Sequence, residues 1–173
     1  VFTKTADPAG IKDSANIVAK TRLPAGFRSG IFMFFPEPEK RALRAVFKAM
    51  NADVVVLTNL QDKRNEARTR QLLDFGITAQ VYTNQGPKGG ALAKIVAHFE
   101  PSRAVFIDDI AAHHASAAEV IPHIARLHFC GEPAVARHIP CAHQAGHADA
   151  RIDSWDKALP WLIQKLHGEL HDD

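Results

Sequence analysis

From residue 37 onward, apolar positions alternate between short continuous runs and helical stripes. In residues 37–50, Leu43, Val46, Phe47 and Met50 recur at three- and four-residue spacing, the period of one helix face. Pro38 and two glutamates lie in its first turn, where a fixed φ and negative charge suit a helix start. Residues 53–58 hold the run Val54-Val55-Val56-Leu57, apolar without alternation, as expected of a parallel strand covered on both faces. The pattern continues as a helix over 63–75 with Gly76 as its C-cap, and a strand over 79–83. A tight loop, Gly86-Pro87-Lys88-Gly89-Gly90, leads into a helix over 91–99. Next come a strand over 103–107 ending in Asp108-Asp109, a helix over 111–120 and a strand over 124–129. Residues 131–150, rich in Pro, Ala, Gly and His, read as surface loop, and 155–170 as a closing amphipathic helix. Strand and helix in alternation predict an α/β fold: a three-layer Rossmann-like sandwich around a mainly parallel sheet.

The first 36 residues do not share this regularity. Pro8, Gly10, Pro24, Gly26, Gly30 and Pro36 punctuate them, which argues against long elements. Phe32 to Phe35 form an apolar run that reads as buried core rather than pocket lining. The chain therefore divides into residues 1–36, a remnant of an N-terminal or cap-like segment, and residues 37–173, the α/β core, in a single domain overall.

Composition narrows the function classes. A net charge of +2 with no long Lys/Arg run argues against nucleic acid as partner. No apolar stretch approaches the roughly 18 residues that cross a bilayer, so no membrane partner is expected. Cys130 and Cys141 make neither a disulfide framework nor a zinc pattern, and free thiols suit a reducing, cytoplasmic location.

The polar residues that break the apolar strands carry the chemistry. In open α/β sheets, ligands bind outside the carboxyl ends of the strands. Thr58-Asn59, Lys88 and Asp108-Asp109 each follow a predicted strand, so a hydroxyl, an ammonium and two carboxylates are expected in one crevice. Phosphoryl transfer needs such a set, because the transferred group is stabilised by position and charge. The Thr58 hydroxyl and the Asn59 backbone N–H would donate to phosphoryl oxygens, and Lys88 would neutralise their charge. Asp108 and Asp109 offer the hard oxygens that suit Mg²⁺. Each residue taken alone also has a structural role: Thr58 as a helix cap, Lys88 in an exposed turn, the acidic pair as a cap or solvated turn.

Val55-Val56-Leu57-Thr58-Asn59, Gly86-Pro87-Lys88-Gly89 and Val105-Phe106-Ile107-Asp108-Asp109 resemble motifs II, III and IV of the haloacid dehalogenase (HAD) phosphohydrolase superfamily. Their order in the chain matches, over roughly residues 40–130, and the C-terminal helix after Arg151-Ile152-Asp153-Ser154-Trp155 fits as well. The resemblance implies a HAD-like core with a small cap or none. It also implies an Mg²⁺-dependent phosphatase working through an aspartyl-phosphate on a phosphorylated small molecule or phosphoprotein. Thr58, Asn59 and Lys88 would then hold phosphate, with Thr58 and Lys88 in catalytic roles, and Asp108 and Asp109 would hold the metal.

One departure stands out. The family's first motif, Asp-x-Asp, supplies the nucleophile and the general acid–base, and no Asp-x-Asp occurs in this sequence. Val1-Phe2-Thr3 has the look of residues that follow that motif. This reading expects the motif upstream of Val1, an inactive chain, and a gap or unpaired edge where a central strand belongs. The alternative is a non-catalytic HAD-like module that binds a phosphate or a partner. A response-regulator receiver ranks lower, since its acidic pair precedes its Thr and Lys.

The histidines give weaker signals. His113-His114 point about 100° apart on a helix and read as surface residues, with the pocket rim as the alternative place. His138, His143 and His147 lie in a loop with Cys141, where no paired-ligand spacing supports a metal knuckle.

Overall fold

In a computed structural model of the chain, the described residues are 15–20, 52–74, 78–130 and 136–167. The expected helix over 37–50, the Phe32 to Phe35 run and the Gly76 cap lie outside them.

A six-stranded sheet organises the fold, in the order β3-β2-β1-β4-β5-β6. Its strands are β1 (Ala15–Lys20), β2 (Asp53–Thr58), β3 (Gln80–Thr83), β4 (Ala104–Asp108), β5 (Ala125–His128) and β6 (Ala150–Arg151). The β2/β3, β4/β5 and β5/β6 pairs are parallel, while β1 runs antiparallel to both of its neighbours. Among the described residues four α-helices accompany the strands: α1 (Asn65–Asp74), α2 (Gly89–Phe99), α3 (Ala111–Val120) and α4 (Trp155–His167). This is a mixed α/β architecture without a barrel.

Side-chain alternation along the strands builds two cores. On one face, Val54, Val56, Val105, Ile107, Leu127 and Phe129 pack with Leu72 of α1 and with Trp155, Ala158, Leu162 and Leu166 of α4. On the other, Val55, Leu57 and Phe106 pack with Leu92 and Ile95 of α2 and Ala117 of α3. Both faces are covered, so β2 and β4 are buried at every position, and this accounts for their unbroken apolar runs.

The sequence-based elements 53–58, 79–83, 103–107, 111–120 and 124–129 fall on observed ones within a residue. Three expectations need correcting. First, neither a gap nor an unpaired edge separates β2 from β4. β1 fills that place, pairing Ala15 with Thr58 on one side and Ile17 with Ile107 on the other. Two inner edges full of backbone donors and acceptors require a partner, and the apolar Ile17-Val18-Ala19 stretch can supply both ladders. Second, the 131–150 stretch is not all loop: Ala150 and Arg151 form the edge strand β6, in register with Leu127 and His128.

Third, Gly89 and Gly90 belong to α2 rather than to the loop before it. A Cβ on Gly89 would lie 2.1 Å from the Ser116 carbonyl oxygen on α3, so glycine sets how closely the two helices approach. A Cβ on Gly90 would meet nothing within 4 Å. Gly89→Ala is therefore expected to lower stability by about 1–3 kcal/mol through overpacking. Gly90→Ala should be neutral or stabilise by up to ~1 kcal/mol through helix propensity. Urea unfolding of the two variants checks this contrast, and equal midpoints would contradict the close approach.

Candidate functional site

Because all strands but β1 run the same way, Thr58, Thr83, Asp108, His128 and Arg151 end their strands at one edge of the sheet. Register lines up Thr58 with Thr83, and Asp108 with His128 and then Arg151. Lys88, just before α2, is brought to the same edge.

Lys88 and Asp108 meet directly. Lys88 Nζ lies 3.6 Å from Asp108 Oδ2, both side chains have no exposed surface, and Lys88 Nζ donates to the Leu57 carbonyl at 3.1 Å. Thr58, adjacent to Leu57, is fully buried, and its carbonyl accepts the backbone N–H of Leu60 (3.0 Å) and of Asn84 (2.9 Å). The ends of β2 and β4 and the start of α2 are thus tied around one ammonium.

The acidic pair is buried rather than solvated. Asp108 Oδ1 accepts the Ile110 N–H at 2.7 Å, a local bond that turns the chain from β4 into α3. Asp108 Oδ2 and Asp109 Oδ1 are buried and accept no hydrogen bond among the described residues. Burial pushes the Asp108 carboxyl up to about 7; Lys88 pulls against this and Asp109 adds to it. Burial likewise raises Asp109. Two carboxylates therefore share a low-dielectric pocket with one ammonium.

Asn59 enters through its side chain. Its Nδ2 donates to the Gly86 carbonyl at 3.0 Å, and its Oδ1 accepts Asn84 Nδ2 at 2.9 Å. Asn84 Nδ2 also lies 3.1 Å from the Gly86 carbonyl, so two asparagines clamp the turn that presents Lys88. Gly86 has φ of +82°, which favours glycine at that turn. Gly89 N donates to Ser116 Oγ at 2.9 Å, fixing the far side of Lys88 against α3.

His113 and His114 are not surface residues: both are buried. α3 begins at the acidic turn and packs on β4, so its third and fourth residues face inward. His113 Nε2 lies 3.4 Å from Asn59 Nδ2, within reach of the clamp. His114 Nε2 donates to the Asp108 carbonyl at 3.0 Å, and its ring packs against Phe106 and His128, each with centroids 5.2 Å away. Burial, helped by Lys88, lowers His113 to about 4, and burial lowers His114 to about 3. Burial, with Arg151 nearby, lowers His128 as well.

Sequence reasoning missed Asn84, His128 and Arg151 as residues of this edge, and read His114 as a surface residue. Their only signal was position, as polar residues at or just beyond the ends of apolar strands or early in a helix. In the 138–147 segment, His143 Nδ1 contacts the Ala148 carbonyl at 2.9 Å. Among the described residues, no three His, Cys, Asp or Glu side chains group as a metal site would require, and no helix is long and apolar enough to cross a membrane. Asp108 and Asp109 are two carboxylates, a number that suits Mg²⁺, which keeps several waters.

Compared with known proteins, the chain matched no family model, no curated protein and no solved structure.

The buried titrating groups set an acid response. His113, His114 and His128 have folded pKa values below the ordinary 6.5, so below that pH the unfolded chain binds more protons and stability falls. Asp108 and Asp109 are raised and oppose this: the folded chain takes up the Asp108 proton as pH falls through about 7, and burial raises Asp109 in the same direction. His113 and His114, lowered to about 4 and about 3, outnumber the one carboxyl placed at about 7, which gives a net loss of stability on going from about pH 6.5 to about pH 4.5. His114→Phe should flatten that dependence by up to about 1.4 kcal/mol per pH unit, the value of one proton. Urea midpoints across this range test it, and stability that rises on acidification would contradict the assignment.

Proposed function

We propose that this chain forms the charge-stabilising part of an Mg²⁺-dependent phosphohydrolase of HAD type, whose Asp-x-Asp nucleophile segment is not in this sequence. The observation that carries this reading is the buried Lys88–Asp108 pair at the carboxyl edge, beside two carboxylate oxygens without a hydrogen-bond donor.

The charges support a cation. Asp108 and Asp109 against Lys88 leave one excess negative charge when both carboxylates are ionised, in a place where burial makes charge costly. Asp108 Oδ2 and Asp109 Oδ1 are the atoms that would hold Mg²⁺. Once bound, the metal would supply Lewis-acid stabilisation of phosphoryl oxygens. Lys88 would place a second positive charge on the phosphoryl group, and Thr58 would add a hydroxyl donor. Asn59 and Asn84 hold the Lys88 turn, which fixes where that ammonium points. Attack and leaving-group protonation would belong to the Asp-x-Asp carboxylates, through an aspartyl-phosphate. A phosphorylated small molecule or a phosphoprotein is the substrate class in keeping with this site.

A second reading has its own support. β1 occupies the sheet position between β2 and β4, and the sequence has no Asp-x-Asp. A chain working in this arrangement would bind phosphate without turning it over.

This chain is expected to show no Mg²⁺-dependent hydrolysis of a generic phosphomonoester. A form joined to an Asp-x-Asp-bearing strand should hydrolyse it. In that form Lys88→Ala and Asp108→Ala should each lower turnover by ~10²–10³, as loss of an electrostatic stabiliser does. EDTA should mimic the second. Turnover by the short chain would show the nucleophile to lie within it, and none by the joined form would favour the binding module.

A further inference from the structure

Where β4 ends, two consecutive carbonyls are each held by an imidazole. His114 Nε2 lies 3.0 Å from the Asp108 carbonyl oxygen, and His128 Nε2 lies 3.1 Å from that of Asp109. A carbonyl oxygen only accepts, so each Nε2 carries a proton. For His128 the other nitrogen gives the same answer, because Nδ1 accepts the Ala142 N–H at 2.9 Å. His128 is therefore neutral, in one defined tautomer, with no exposed surface and both nitrogens engaged by backbone. Its ring links the 136–148 segment to the acidic turn.

Nothing in the phosphoryl chemistry above uses this ring. The Asp108 carbonyl also accepts the Phe129 N–H at 2.9 Å, so it keeps a donor if His114 is lost. His128 is the side chain that reaches the Asp109 peptide. A small rotation of that peptide would swing the Asp109 carboxylate away from the Asp108 carboxylate. Groups that orient metal ligands in this way commonly matter to affinity as much as to folding.

We infer that His128 is a positioning residue, whose Nε2–H fixes the Asp109 peptide so that the Asp109 and Asp108 carboxylates face one divalent cation. The inference rests on the cation reading proposed above.

The test uses Mn²⁺ alone as probe, with binding to the chain followed by electron paramagnetic resonance and folding checked by circular dichroism and thermal midpoint. His128→Leu is expected to weaken Mn²⁺ binding about 10–100-fold, as loss of an orienting partner does. His128→Gln, which keeps an N–H donor, is expected to recover most of that loss. Unchanged Mn²⁺ affinity in a folded His128→Leu chain would overturn the inference and leave the ring a purely structural role. Equal losses in the Leu and Gln variants would overturn it too. A second measurement needs no variant: in the native chain, Mg²⁺ should shift the ¹⁵N resonance of His128 Nε2 with the same midpoint as binding. Saturation without that shift also overturns it. Asp108→Asn separates the two levels of the argument. If the native chain shows no Mn²⁺ binding that this substitution abolishes, the cation reading itself falls, and the positioning role with it.

Discussion

Everything at the carboxyl edge depends on the contact between Lys88 and Asp108. Neither side chain has any exposed surface, so each charge has given up its water. Such a pair contributes little net stability, yet removing one partner of a buried pair costs about 3–5 kcal/mol, because the other charge is stranded. Lys88 sits just before α2, its ammonium bonds the last turn of β2 through Leu57, and Asp108 ends β4. Strands that are not neighbours in the sheet are therefore tied together by one ammonium. The burial cost on Asp108 outweighs Lys88's attraction, which is why its carboxyl is pushed up to about 7.

The surroundings of that pair are built by close backbone approach rather than by large side chains. Gly89 lets α2 and α3 approach until its backbone meets Ser116, and Gly86 takes the positive φ the turn requires. Two asparagines then bond the turn's carbonyls, so the loop carrying Lys88 is fixed from both sides. The imidazoles do the same for the acidic turn. Burial keeps them uncharged at neutral pH, where each can donate to a carbonyl without adding a positive charge beside Asp108 and Asp109. Lysine in their place would compete with a cation for the carboxylates.

Much of this was legible because β2 and β4 carry unbroken apolar runs, Val54 to Leu57 and Ala104 to Ile107, and a polar residue after such a run marks the carboxyl end of the strand. Thr58, Lys88, Asp108 and Asp109 were found in that way. Asn59 was found too, but its amide contacts with Gly86 and Asn84 were not, because they depend on the loop opposite, which the sequence does not place. His113 and His114 were misjudged because adjacent positions on an isolated helix diverge, and the helix stripe carries no hint of which side meets β4. α3 is rich in alanine and has little amphipathic contrast to orient it. His128 and Arg126 alternate with Ala125 and Leu127 along β5, a spacing that marks one face of a strand and not a site.

β1 was illegible for a different reason. Its six residues lie among prolines and glycines, and only the ladders of β2 and β4 make them a strand. The direction of that strand has a chemical consequence. In a parallel strand the chain reaches the carboxyl edge at its last residue, as Thr58 and Asp108 do. In β1 the edge is reached at its first residue, Ala15, which pairs with Thr58. A group delivered to the crevice from this position must therefore precede Ala15 in the chain, whereas one delivered by a parallel strand would follow that strand's end. The pairing satisfies the same backbone groups in either direction, so hydrogen bonding alone does not choose between them. What differs is which side chains arrive beside Lys88 and the acidic pair. The direction of the strand between β2 and β4 therefore decides which stretch of the chain is delivered to this edge.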